Sequence, residues 1–346
     1  MKRKPFEFHG TQIPAGQHLV VPLEMPSLSS QTHLEMPVHI IHGRQEGPTL
    51  FVSAAVHGDE LNGIEIIRSV LATKRVARLK GTLIAVPVVN GYGLINESRY
   101  MPDRRDLNRC FPGSERGSLG GRLAHMFMEE IVERSSFGID LHTGSNHRTN
   151  LPQIRADLDD PMTLRLANAF GVPVLLNSGL RPGSMRGAAG EKDVTVLLYE
   201  AGESLRYNDI AIRAGVAGVI GVMRALEMLP RLKASTKPNA KPKPEPFIAR
   251  GSRWDRAPVG GMLRARVKLG AQVTKGDILA YVVDPGGGDR IPVRARAAGI
   301  VIGRLELPKV NEGDAVYHIA NFDDLDDVAD HVDDFHSDYT DPDLYD

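Results

Sequence analysis

The chain has 346 residues, 42% of them hydrophobic, enough to fill a substantial core in one large domain or two. A net charge of −1 leaves no broad cationic footprint for nucleic acid or an anionic membrane surface, and no apolar run approaches the ~18 residues of a membrane span. The single cysteine, Cys110, excludes an internal disulfide framework and fits a reducing compartment. No apolar segment follows the basic Met1-Lys2-Arg3-Lys4-Pro5 to act as a signal peptide, so a cytoplasmic location is expected.

Residues 1–48 carry two strand-like runs, Gln17–Leu23 and Val38–Gly43. They predict an antiparallel edge or a leading hairpin. Pro22 suits an edge because it cannot donate to a ladder. From residue 49 strands and helices alternate, which predicts an α/β domain: a mixed, mainly parallel sheet flanked by helices. Strands are expected at Thr49–Val56, Thr82–Val89, Phe137–His142, Pro173–Leu176 and Val194–Glu200. A helix is expected to open at Glu60, since Leu61, Ile64, Ile67, Val70 and Leu71 recur at three- and four-residue steps. Two more are expected, over about Gly120–Arg134 and about Asn208–Leu229. Gly215, Gly218 and Gly221 in the last would allow it to pack closely on the sheet.

This domain would occupy residues 1–230. Residues 231–248 read as a Pro/Lys-rich linker, because repeated prolines cannot build a helix or a central strand. Residues 249–322 read as an all-β module. Val273-Thr274-Lys275-Gly276-Asp277 and Val310-Asn311-Glu312-Gly313-Asp314 repeat one turn, each followed by an apolar strand. Two such halves resemble the barrel-sandwich fold of biotinyl and lipoyl carrier domains. The hairpin that would bear the modified lysine, Pro285–Arg290, has none. The module is therefore expected to be structural, walling the active site or mediating assembly. Residues 323–346 are rich in aspartate and are expected to form a solvated, partly disordered tail.

Four short motifs carry chemistry. In His57-Gly58-Asp59-Glu60, the histidine ends a strand and the glutamate lies at a helix start, so both side chains can enter one crevice. An imidazole and a carboxylate so placed make two ligands of a catalytic zinc site. Taken alone, the pair reads equally well as helix capping and dipole compensation. Arg105-Asp106-Leu107-Asn108-Arg109 lies on a loop, where Asn108 and Arg109 can grip a planar anion; a plain basic surface loop is the alternative. In Asp140-Leu141-His142-Thr143-Gly144, His142 repeats the strand-end setting of His57. Asp140 could orient a ligand imidazole or simply make a core hydrogen bond. In Tyr199-Glu200-Ala201-Gly202, a carboxylate follows an apolar strand. It is a salt-bridge partner, or, beside an activated water, a general base that passes its proton to the leaving nitrogen.

In this order the four motifs resemble the succinylglutamate desuccinylase/aspartoacylase family, distant relatives of the zinc carboxypeptidases. The resemblance covers about 49–229 well and the β module more loosely. It implies a zinc carboxypeptidase-like fold and one zinc ion per chain, held by His57, Glu60 and His142. It also implies Glu200 as the catalytic acid/base and Asn108 and Arg109 as the grip on a substrate carboxylate. Arg99 is similar to an arginine that polarises the scissile carbonyl, and Arg186 to a further substrate-binding arginine. The implied activity is deacylation of a small N-acyl amino acid-like substrate, with no nucleic-acid or membrane partner. The alternatives are a metallocarboxypeptidase acting on small peptides and a non-catalytic scaffold. A homo-oligomer is compatible with the sequence.

Overall fold

A computed structural model describes residues 3–231, 246–322 and 325–340. A mixed sheet of 13 strands runs through them. At its centre Lys80–Val86, Gln45–Ala54, Phe137–Gly144 and Thr195–Glu203 lie side by side and parallel. These strands are nearly continuous apolar runs because both of their faces are covered. Helices Asn62–Ala72, Pro161–Phe170 and Asp209–Ala225 bury Ile66, Val70, Phe170 and Val219 over one face, beside Leu50, Ile139 and Leu197. Helix Leu119–Phe127 and the π turn Met128–Val132 cover the other, with Phe127 and Ile131 beside Phe51 and Ile84.

The glycines of Asp209–Ala225 do allow close packing, but chiefly on other helices. A Cβ on Gly218 would lie 2.1 Å from Phe170 Cε1, and one on Gly221 would lie 2.2 Å from the Ala169 carbonyl oxygen. The sequence expectation that Glu60 opens a helix is corrected: the first helix starts two residues later, at Asn62.

The sheet is parallel at its centre and again where Val174–Asn177 pairs with Arg148–Ala156. Among the described residues of 1–230 four of its pairings are parallel and three antiparallel, a mixed sheet; the strands beyond residue 250 add antiparallel pairings. One flank is the predicted leading hairpin, Gln17–Glu24 on Glu35–His42, with Pro22 on the edge strand opposite Pro37. The other flank is Arg148–Ala156, antiparallel to Thr195–Glu203 and absent from the sequence expectations. Its residues Arg148-Thr149-Asn150-Leu151-Pro152-Gln153 lack both an apolar run and a clean alternation.

The β module continues this sheet. Gly303 of strand Gly299–Leu305 pairs with Asn150, and the ladder goes on through Ala315–Asn321 to Gly251–Arg256. A second, four-stranded sheet of Gly261–Ala265, Ile278–Val283, Arg290–Arg294 and Lys309–Val310 completes the module. Leu263, Leu279, Val282, Val301, Val316 and Ile319 form the core between them. The repeated turn is the same structure twice. Asp277 and Asp314 each accept a hydrogen bond of 2.7 Å from a backbone N–H three residues upstream, at Thr274 and Asn311. Gly276 and Gly313 take φ of +99° and +84°, a region that penalises any side chain.

Two boundaries differ from the sequence reading. The expected linker ends early: Phe247–Ala249 is a strand, parallel to Val174–Leu176. Residues 232–245 lie outside the described residues. Much of the expected acidic tail is a helix, Leu325–Thr340. Val328, Val332, Phe335 and Tyr339 are buried at three- and four-residue steps, against Leu151, Ile300 and Ala214. Asp327, Asp330, Asp333, Asp334 and Asp338 are exposed on its outer face and mask this stripe in composition. Residues 323–324 and 341–346 lie outside the described residues. No helix among the described residues is long and apolar enough to cross a membrane.

Candidate functional site

Strand Gln45–Ala54 pairs with Lys80–Val86 on one side and with Phe137–Gly144 on the other. The chain passes first to one neighbour and later to the other, so a crevice opens at the carboxyl ends of the strands. His57 follows the first strand and His142 lies near the end of the second. Two backbone features aim the first motif inward. Ala55 holds φ +52°, and Gly58 packs so tightly that a Cβ there would lie 1.9 Å from the Gly93 carbonyl carbon. Strain of this kind gathers at functional sites.

His57, Glu60 and His142 converge, with one ligand atom of each within 4.8 Å of the others. Glu60 sits between the rings. Its Oε1 is 2.8 Å from His57 Nδ1 and its Oε2 is 2.7 Å from His142 Nδ1. The outer nitrogens are held too: His57 Nε2 is 3.1 Å from Asp106 Oδ1, and His142 Nε2 is 2.7 Å from Asp140 Oδ2. With a metal ion bound, the carboxylate behind each ring would hold the proton on Nε2 and leave the Nδ1 lone pair facing inward. Of the two readings of Asp140, the structure therefore shows the contact to His142. Asp140 also accepts a 2.9 Å hydrogen bond from Ser53 Oγ.

The field of this cluster favours positive charge at its centre. Burial works against the protonated form of both rings, yet the facing carboxylates outweigh it and raise both pKa values. Burial works against Glu60 as an anion, yet His57 and His142 hold its pKa far below the carboxylate range. A carboxylate and two imidazoles arranged around one point fit a divalent ion, which would take the place of those protons. His57, Glu60 and His142 could thus hold a metal ion.

Glu200 is the register partner of His142 on the adjacent parallel strand, so the two side chains leave the sheet on the same face. Its Oε2 accepts a 2.6 Å hydrogen bond from Asn150 Nδ2, and Arg155 Nη1 stands 3.9 Å from Oε1. Arg99 reaches the His57–Glu60–His142 cluster, 3.2 Å from Glu60 Oε1, while Asp106 holds its other side at 2.9 Å. Asn108 accepts from the Met185 backbone N–H at 2.9 Å, and Arg109 donates to the Asn108 carbonyl. Arg186 donates to the carbonyls of Ser178 and Gly179, at 2.7 and 2.9 Å.

All eight predicted site residues line one cavity of about 280 Å³. The sequence reading missed Arg148, Asn150, Arg155, Arg181 and Trp254, which line it as well. Asn150 and Arg155 come from the unforeseen strand. Trp254 comes from the β module, with the Arg148 guanidinium 5.3 Å from its ring centre. The cavity is rich in cations. Burial lowers the pKa of Arg109, and Arg181 and Arg99 nearby push the same way. Burial lowers that of Arg186 and Arg148 too. Such a lining favours an anionic guest.

Fold and site together define a class: an α/β protein with a His–Glu–His metal-type centre at the switch point of a mixed sheet. The profile of the succinylglutamate desuccinylase/aspartoacylase catalytic domain matches residues 46–226. The chain belongs to that family. A curated relative, the N-alpha-acetyl-L-2,4-diaminobutyric acid deacetylase of Halomonas elongata, is 27% identical over 82% of this chain and 85% of its own. The fold is shared with a succinylglutamate desuccinylase/aspartoacylase from Rhodobacter sphaeroides, at TM-score 0.80 and 24% identity over 89% and 96% of the two chains. It is also shared with the product-bound ectoine utilization protein EutE (DoeB) of Ruegeria pomeroyi, at TM-score 0.77 and 23% identity over 88% and 95%.

Proposed function

We propose that the chain is a zinc-dependent amidohydrolase that deacylates an N-acyl amino acid or a similar small amide. One observation carries this reading: His57, Glu60 and His142 share a cavity with Glu200, and each imidazole is backed by its own carboxylate. Zinc, when bound by His57, Glu60 and His142, supplies a Lewis acid that acidifies a water and polarises an amide carbonyl.

The remaining work falls to the side chains. Glu200 takes the proton of the attacking water and delivers it to the leaving nitrogen. Asn150, at 2.6 Å, and Arg155 hold the Glu200 carboxylate in place. Arg99 stabilises the negative charge that develops on the carbonyl oxygen. Asn108 and Arg109 bind the substrate carboxylate and so fix the amide in the cavity. Arg186 lines the same cavity as a further cation toward that anion. The products are a carboxylate and a free amine. A cavity of about 280 Å³ walled by Trp254 suits a small substrate better than a peptide chain.

The test is a panel of N-acetyl and N-succinyl amino acids, including N-acetyl diamino acids as named for the Halomonas relative. The zinc-loaded protein is expected to release amine from at least one, to lose this activity on chelation and to regain it with zinc. It should release no C-terminal residues from peptides. Trimmed peptides and intact N-acyl amino acids would replace this reading with a carboxypeptidase.

A further inference from the structure

At the outer edge of the large sheet two imidazoles meet nitrogen to nitrogen. His18 lies on the edge strand Gln17–Glu24 and His39 on its neighbour Glu35–His42, and no residue of either strand lines the cavity. Val20 is the cross-strand partner of His39, and His18 stands two residues before Val20. The two histidines are therefore diagonal neighbours on one face of the hairpin, a separation that ring side chains can span. His18 Nε2 comes to 3.2 Å from His39 Nδ1, with 5.4 Å between ring centres and 41° between planes.

The pair is open to solutes. His18 is exposed, His39 is half-buried, and Val20 beside them is 51% exposed. His9, His33 and His147, elsewhere on the surface, each face a glutamate. Among the described residues no carboxylate pairs with His18 or His39. Burial lowers the pKa of both, and the His18 ring lowers that of His39 further. Both rings are thus neutral near pH 7, the form in which imidazole ligates metals.

Two neutral rings in contact share one proton, an N–H on one side and a lone pair on the other. A tautomer shift of the donor ring turns the second lone pair to the same point. Two imidazole nitrogens on one tetrahedral ion stand about 3.3 Å apart, given Zn–N bonds of ~2.05 Å. The observed gap of 3.2 Å already has that span.

We propose that His18 and His39 form a second metal site, which takes one divalent ion of the zinc, nickel or copper kind with water completing its coordination. The ion displaces the shared proton and ties the edge strand to its neighbour. Imidazole suits these ions, whereas magnesium and calcium prefer oxygen.

The experiment is a calorimetric titration of the full-length protein with zinc chloride, beside thermal unfolding. Two classes of zinc site are expected. His18→Ala and His39→Phe should each weaken one class at least tenfold, because losing a mere outer partner of a ligand already costs about 10–100-fold. The class at His57, Glu60 and His142 should be unchanged in both variants. His33→Ala removes the exposed histidine that faces Glu24 at 2.8 Å and should leave both classes intact. Zinc beyond one equivalent should raise the Tm of the parent and not that of His18→Ala, since the ion favours the paired strands over the unfolded chain. The site is overturned if only the class at His57, Glu60 and His142 appears, if the other class survives both His18→Ala and His39→Phe, or if His33→Ala removes it. None of those outcomes touches amine release from N-acyl substrates. A chain that keeps the edge site and lacks the one at His57, Glu60 and His142 would instead overturn the proposed function alone.

Discussion

His318 lies in the β module, 4% exposed, stacked on Trp254 at 4.6 Å between ring centres and 9° between planes. Burial, helped by the nearby Arg155 charge, lowers its pKa from the ordinary 6.5 to about 3. The folded protein therefore keeps the ring neutral while the unfolded chain binds a proton to it below about pH 6.5. Stability that is complete above that pH is lost progressively as the pH falls toward 3. Between pH 7 and pH 5 this one ring costs about 2 kcal/mol, from ~1.4 kcal/mol per pH unit over most of that interval. The variant His318→Phe keeps an aromatic plane under Trp254 and removes the proton. Ser252, whose hydroxyl meets His318 Nε2 at 2.8 Å, is exposed and can turn to water. The assay is urea unfolding at both pH values followed by fluorescence. Trp254 is the only tryptophan of the chain, so the signal comes from this stack. The parent should lose about 2 kcal/mol more than the variant on acidification. Equal losses would refute the claim that a neutral His318 is built into the stack with Trp254.

Glu200→Gln should leave zinc content unchanged and lower kcat by roughly 10²–10⁴; metal analysis beside turnover checks it. Arg109→Ala should raise KM about 10–100-fold with little change in kcat, because it removes a charge-assisted contact made equally before and during reaction. Asp140→Asn should weaken zinc binding about 10–100-fold, since His142 loses the carboxylate that orients it; competition with a chelator reads this out. Phe335→Ala should cost about 3–5 kcal/mol in denaturant unfolding, the penalty of a buried ring at 6% exposure. Asp334→Lys on the outer face of the same helix should change stability by no more than about 0.5 kcal/mol.

Much of this site was legible in the chain because its residues sit at punctuation points. His57, His142 and Glu200 each end an apolar run, and such a run predicts a strand whose end opens on the crevice. Helix Pro161–Phe170 was legible and went unread. Asp160 caps it, with Oδ2 2.7 Å from the Thr163 N–H, Pro161 follows, and Gly171 closes it at φ +79°. The helix Leu325–Thr340 was hidden by composition, since its aspartates dominate while only Val328, Val332, Phe335 and Tyr339 mark the buried stripe.

By itself the sequence determined the local elements, the order of the four motifs and the repeated Gly-Asp turn, because each depends on residues a few positions apart. Tertiary structure alone decided that Arg148–Ala156 joins the sheet beside Glu200, bringing Asn150 and Arg155, and that the β module adds Trp254. It also decided that Asp106 and Asp140 stand behind the two imidazoles. These arrangements depend on which strands pair and which loops meet, and no local periodicity encodes a contact between residues that distant folding brings together.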